Sequence, residues 1–120
     1  MFELMVEDTF DAAHQLKGYE GPCERLHGHT FRVQVFLKGA KLNKIGLLED
    51  FKVIKRHLKK VTDEFDHTNL NELKCFIKSN PTSENIAKIF YGRLKAKIDI
   101  YKVSIWESGT SCATYWEQKI

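Results

Sequence analysis

The hydrophobic positions of this chain change period twice. At the start Phe2, Leu4, Val6, Phe10, Ala12 and His14 share even positions, which puts them on one face of a strand. The run HTFRVQVFLKG alternates more cleanly, with Phe31, Val33, Val35 and Leu37 to one side and Thr30, Arg32, Gln34 and Lys38 to the other. A loop containing Gly and Pro, residues 17–24, separates the two. From Leu48 the spacing becomes three and four through Phe51, Ile54, Leu58, Val61 and Phe65, which predicts an amphipathic helix opening near Asp50 as its cap. SNPTSEN announces a second helix: Pro81 suits a first-turn position, and Asn80, Thr82 and Ser83 are cap candidates. Its apolar stripe is Ile86, Ile89, Phe90, Leu94 and Ile98. Alternation returns in YKVSIWE, where Tyr101, Val103, Ile105 and Glu107 share a face. SGTS then supplies a turn, and CATYWEQ reads as a last strand. The order strand, strand, helix, helix, strand, strand predicts an α+β domain with an antiparallel sheet and both helices on one face.

Composition narrows the class. A length of 120 residues suits one domain with a real core. No apolar run approaches the roughly 18 residues of a membrane span. MFELMVEDTFD carries acids and no basic leader, so a signal peptide is not expected. Three scattered cysteines, Cys23, Cys75 and Cys112, speak against a disulfide scaffold and for a reducing cytoplasm. A net charge of +3 does not mark a nucleic-acid binder, and Lys52, Lys55, Arg56, Lys59 and Lys60 read as the solvated face of the first helix.

Chemistry concentrates in CERLHGH, residues 23–29. His27 and His29 stand two apart on a strand pattern, so their rings point to one side, and His14 has the parity of its own strand's buried face. If the strands pair, three imidazoles converge, a set that suits a catalytic zinc with an open position; the competing reading is strand-end histidines bonded to backbone. Cys23 reads as a fourth ligand, an inert thiol or a reactive base, and a reactive thiol needs a partner. Asp66–His67, where the helix pattern ends, offers one. His57 reads as surface, and Cys75 and Cys112 as packing residues.

FDAAH, CERLHGH, Asp50–Phe51, DHTNLN, NPTSEN and the Trp106–Glu107 pair follow one another at the spacing of a known family. In these motifs nearly the whole chain resembles the 6-pyruvoyltetrahydropterin synthase and 6-carboxytetrahydropterin synthase family. The resemblance implies a single domain of that type over residues 1–120, with the tunnelling fold (T-fold). It implies a homohexamer built as a dimer of trimers, with active sites at the interfaces. It assigns His14, His27 and His29 to Zn2+, Cys23 to proton transfer on the substrate side chain, and Asp66 and His67 to a relay reaching in from the neighbouring subunit. Glu107 resembles the carboxylate that anchors the pterin ring, and Thr82, Ser83 and Glu84 match a second pterin-contacting segment, where helix capping is the competing role. The substrate so implied is 7,8-dihydroneopterin triphosphate, with no nucleic acid or membrane as direct partner. The short chain, CERLHGH and PTSEN resemble the bacterial carboxytetrahydropterin branch of queuosine (7-deazapurine) biosynthesis, a carbon–carbon lyase, rather than the pyruvoyl branch. Glu24 is a departure: C-E-x-x-H-G-H also fits relatives that make a folate precursor, 6-hydroxymethyl-dihydropterin, from the same substrate. A non-catalytic zinc module with Cys23 as fourth ligand leaves Asp66, His67 and Glu107 unexplained.

Overall fold

The computed structural model describes residues 1–118. Its elements are β1 (Phe2–His14), β2 (His27–Gly39), α1 (Phe51–Phe65), β3 (Thr68–Asn69), α2 (Ser83–Lys95), β4 (Lys102–Ser108) and β5 (Ser111–Tyr115). They form one sheet in the order β3-β1-β2-β4-β5. β1 and β2 pair antiparallel along their whole lengths, from Phe2↔Gly39 to His14↔His27. β4 adds to β2, and β5 to β4, also antiparallel. The expected antiparallel sheet needs one correction: β3 joins the other edge of β1 in parallel, through Ala12↔Thr68 and Ala13↔Asn69, so the sheet is mixed. Two residues carry no readable alternation. They are drawn into place by the chain leaving α1, where the His67 N–H donates to the Asp11 carbonyl at 2.6 Å.

Register decides which face is covered. Val6, Phe10, Ala12 and His14 from β1 and Phe31, Val33, Val35 and Leu37 from β2 are buried on the side that α1 and α2 cover. Four phenylalanines make the centre: Phe10 lies 5.0 Å from Phe31 and 5.6 Å from Phe90 between ring centroids, and Phe65 lies 4.9 Å from Phe90. Each such burial contributes about 1.5–3 kcal/mol. Asp8 breaks the apolar run of β1, and the buried Thr62 of α1 answers it, donating its hydroxyl at 2.7 Å. From α1, Ile54, Leu58, Val61 and Phe65 are buried, while Phe51 at the helix start stays exposed. The five basic residues of α1 are all exposed, as their spacing predicts.

Both helices are capped by side chains. Asp50 accepts from the Lys52 N–H at 2.9 Å, and Thr82 accepts from the Asn85 N–H at 3.1 Å. Pro81 therefore precedes the cap and is not in the first turn, a second correction. Its buried carbonyl serves His14. Among the described residues no helix is long and apolar enough to cross a membrane.

Candidate functional site

β1 ends on His14 and β2 begins on His27, and the hairpin register pairs the two directly while Ala12 pairs with His29. Period-two alternation then sends all three rings to the helix-covered face. Their centroids lie 4.6 Å (His14–His27), 5.2 Å (His14–His29) and 4.8 Å (His27–His29) apart. Backbone carbonyls fix two of the rings. His14 Nδ1–H donates to Pro81 O at 2.8 Å, and His27 Nδ1–H donates to Arg25 O at 2.6 Å. Each bond leaves Nε2 as the nitrogen with a free lone pair, the way a ligating histidine is oriented.

Glu107 enters the same cluster, with Oε1 2.9 Å from His29 Nε2 and 3.3 Å from His14 Nε2. These are ion-pair distances without hydrogen-bond alignment: both Nε2 atoms are buried and have no hydrogen-bond partner among the described residues. An unsatisfied buried polar atom costs about 1–3 kcal/mol. Two of them, beside a third imidazole and a carboxylate, are what a bound cation would satisfy. The four ligand atoms all lie within 4.8 Å of one another. Burial is the first cause that holds His29 below the ordinary histidine pKa; the Glu107 carboxylate opposes this, and His14 and His27 add to it. The shift favours neutral His29, the form that binds metal. The donor set suits zinc.

The structure explains how Glu107 reaches that position. β4 follows β5 through Trp106↔Cys112 and resumes at Ser108↔Ser111, leaving Glu107 as the extra residue of a bulge. Bulges re-aim a side chain at the rim of a sheet. The strand pattern put Glu107 on the correct face but gave no sign that its neighbours are two histidines rather than a lysine.

A cleft of about 370 Å³ opens beside the cluster, lined by Ser83, Glu84, Glu107, Ser111, Cys112 and residues 113–114. Ser83 and Glu84 thus face the space next to Glu107, whereas Thr82 spends its hydroxyl as the cap of α2. Ser83 Oγ is buried with no hydrogen-bond partner among the described residues. Cys112, expected to pack, is exposed on β5, the strand at one end of the sheet order. Cys75 does pack against the core, and burial pushes its thiol pKa up.

Cys23 is half-buried in a 3-10 turn, Pro22–Glu24, with Glu24 exposed beside it. Its thiol is not among the ligand atoms of the histidine cluster. Asp66 caps the end of α1, where its Oδ1 accepts the Asp11 N–H at 2.8 Å and its Oδ2 lies 3.0 Å from His67 Nδ1. The Asp11 N–H, and then His67, hold the Asp66 carboxyl below its usual range. His67 is well exposed and sits at φ +58°, a left-handed conformation that costs a non-glycine residue about 1–2 kcal/mol. No hydrogen bond, ion pair or ligand cluster among the described residues joins Cys23 to Asp66 or His67.

Residues 3–118 match the family model described as 6-pyruvoyl tetrahydropterin synthase. A relative from Synechocystis, named 6-carboxy-5,6,7,8-tetrahydropterin synthase, is 35% identical over 127 residues, covering 100% of this chain and 97% of its own. A protein of Pyrococcus furiosus named dihydroneopterin monophosphate aldolase is 39% identical over 108 residues, covering 87% of this chain and 88% of its own. The solved 6-pyruvoyl tetrahydropterin synthase of Caenorhabditis elegans superposes with a TM-score of 0.89 at 29% identity, over 98% of this chain and 96% of that one. With its mixed sheet and paired helices arranged as in that T-fold structure, the chain belongs to the 6-pyruvoyl tetrahydropterin synthase family, a family of pterin-processing enzymes.

Proposed function

We propose that this protein is a zinc-dependent 6-carboxytetrahydropterin synthase, converting 7,8-dihydroneopterin triphosphate to 6-carboxy-5,6,7,8-tetrahydropterin, acetaldehyde and triphosphate, on the route to queuosine. The observation that carries the reading is the pair of unsatisfied, buried Nε2 atoms of His14 and His29 converging with His27 and with Glu107, which itself lines the cleft. The Synechocystis relative and others named alike support this branch of the family.

In this reading His14, His27 and His29 hold the metal, with Pro81 and Arg25 keeping two of the rings in the ligating orientation. When bound, zinc supplies Lewis acidity toward the substrate's side-chain hydroxyls, so that the adjacent C–H protons become removable. Glu107 accepts two neighbouring ring N–H groups of the pterin as a bidentate, charge-assisted pair. Ser83 and Glu84 complete the wall of the cleft beside it. Cys23, as thiolate, takes a side-chain proton, and His67, oriented by Asp66, relays it. In this reading His67 acts in the site of a neighbouring copy, within a cytoplasmic hexamer made of two trimers; the lack of any hydrogen bond or ion pair between Cys23 and His67 among the described residues supports it.

A second reading has its own support. Glu24 stands beside Cys23, and the Pyrococcus furiosus relative is named an aldolase. A carboxylate base there would favour cleavage to the hydroxymethyl pterin. Mass spectrometry of the products formed by the zinc-loaded protein from dihydroneopterin triphosphate separates the readings. Carboxytetrahydropterin with stoichiometric acetaldehyde is expected. Pyruvoyltetrahydropterin, or 6-hydroxymethyl-dihydropterin as the main product, would overturn the assignment in favour of that branch.

A further inference from the structure

The loop of residues 15–26 joins His14 to His27 and carries Cys23. Residues 17–22 and 24–26 of it are exposed, so burial does little to fix it. Two asparagines do. Asn71 accepts from the Gln15 N–H at 2.8 Å and donates to the Gln15 carbonyl at 3.0 Å. Asn80 accepts from the Lys17 N–H at 2.9 Å and donates to the Lys17 carbonyl at 2.8 Å. Residues i and i+2 of an extended chain present both backbone groups to the same side. The Asn71 carboxamide thus continues, with a side chain, the pairing of β3 with β1 two residues earlier, and the Asn80 carboxamide holds Lys17 in the turn that follows.

The other side of the extension is occupied by the thiol-bearing turn, because the intervening Leu16 N–H donates to the Cys23 carbonyl at 2.8 Å. A line of hydrogen bonds thus runs from Asn80 through Lys17 and Leu16 to the backbone of Cys23. Asn80 is itself held: its carbonyl accepts from Asn85 Nδ2 at 2.8 Å, and the next residue, Pro81, supplies the carbonyl that orients His14. One short stretch ahead of α2 thereby sets both a metal-side ring and the thiol loop.

We infer that Asn80, with Asn71 as its companion, is a positioning residue for the reaction, fixing Cys23 relative to His14 without touching substrate; the inference rests on the proton-transfer role proposed for Cys23. Asn80→Ala should keep its zinc content and leave KM within about twofold. Its kcat should fall by about tenfold or more, since a displacement of about 1 Å at a reacting group can cost a hundredfold. Alkylation of Cys23 by iodoacetamide, followed on its own peptide by mass spectrometry, should accelerate as the half-buried thiol is released. Asn80→Asp retains the acceptor for the Lys17 N–H and loses the donor, so it should fall between wild type and Asn80→Ala in both readouts. If Asn80→Ala does not fold, Asn71→Ala carries the same expectations. Unchanged kcat together with unchanged Cys23 alkylation overturns the inference. Wild-type turnover is measured first. Its absence overturns the proposed reaction, and the clamp is then judged on alkylation alone.

Discussion

At the scale of single residues, Glu107 carries the most weight, because two roles meet in one carboxylate. Its Oε1 stands beside two histidine nitrogens, yet the same side chain borders the cleft with Ser83 and Glu84. A pterin anchor and a fourth metal ligand make opposite demands. For an anchor, Glu107→Gln puts an amide N–H₂ opposite a ring donor, removing one charge-assisted bond worth about 1.5–3 kcal/mol. Binding of a non-reactive pterin should then weaken by about tenfold or more, with zinc content and folding unchanged. Titration of that pterin into both proteins, with metal analysis of each, decides it. Equal affinities would remove the anchor, and parallel loss of zinc would make Glu107 a ligand. The strand pattern alone placed Glu107 on the proper face, whereas its approach to the histidines depends on the bulge at β4–β5, which alternation cannot announce.

Between elements, the end of α1 is latched to β1 by groups that serve the site as well. Asp66 closes the helix, accepts from the Asp11 N–H and orients His67, while the His67 N–H bonds the Asp11 carbonyl. The left-handed His67 is tolerated because these bonds hold it from both sides. The pKa of Asp66 is depressed in the fold, so the unfolded chain binds the more protons once pH approaches the unfolded value of about 3.9. The stabilisation is therefore complete above that value and is lost as pH falls through the folded pKa. Asp66→Ala should be less stable than wild type at neutral pH, with a gap that narrows below about pH 4. Urea titrations at several pH values test it: a gap of constant size would mean that the Asp11 bond draws nothing from the charge. Most elements could be read from the sequence, since β1, β2, α1, α2 and β4 each keep one period over several turns or pleats. β3 could not, because two residues have no period and a backbone bond from a distant strand makes it. The clamping roles of Asn71 and Asn80 have no sequence signal either: Asn80 reads as a cap candidate, a place Thr82 takes, and a side-chain amide that grips a distant backbone looks, in sequence, like any polar loop residue. Cys112 was misread because a strand pattern does not tell whether its outer edge is covered.

Across the whole molecule, the histidine cluster comes together within one chain, whereas no hydrogen bond or ion pair among the described residues joins the two groups of the proposed relay, Cys23 and His67. His14, His27 and His29 meet through a single hairpin, so local pairing assembles them and the sequence spacing shows it. Cys23 and His67 lie on separate loops with no hydrogen bond or ion pair between them, and among the described residues β5 is an edge strand of the sheet, the kind of edge that pairs with another chain. If the relay works across subunits, each active site draws Cys23 from one copy and His67 from the next. The variants Cys23→Ala and His67→Ala should then be inactive alone while retaining zinc, since neither residue belongs to the histidine cluster. Co-expressed in equal amounts and purified as mixed oligomers, they should regain activity. With random assembly, each site holds an intact Cys23 in half of all cases and an intact His67 in half, so recovery approaches about a quarter of wild type. Turnover is measured against subunit ratio, with the oligomeric mass taken by light scattering. A mixed oligomer as inactive as its parents would place Cys23 and His67 in the same chain's site and overturn the relay across subunits.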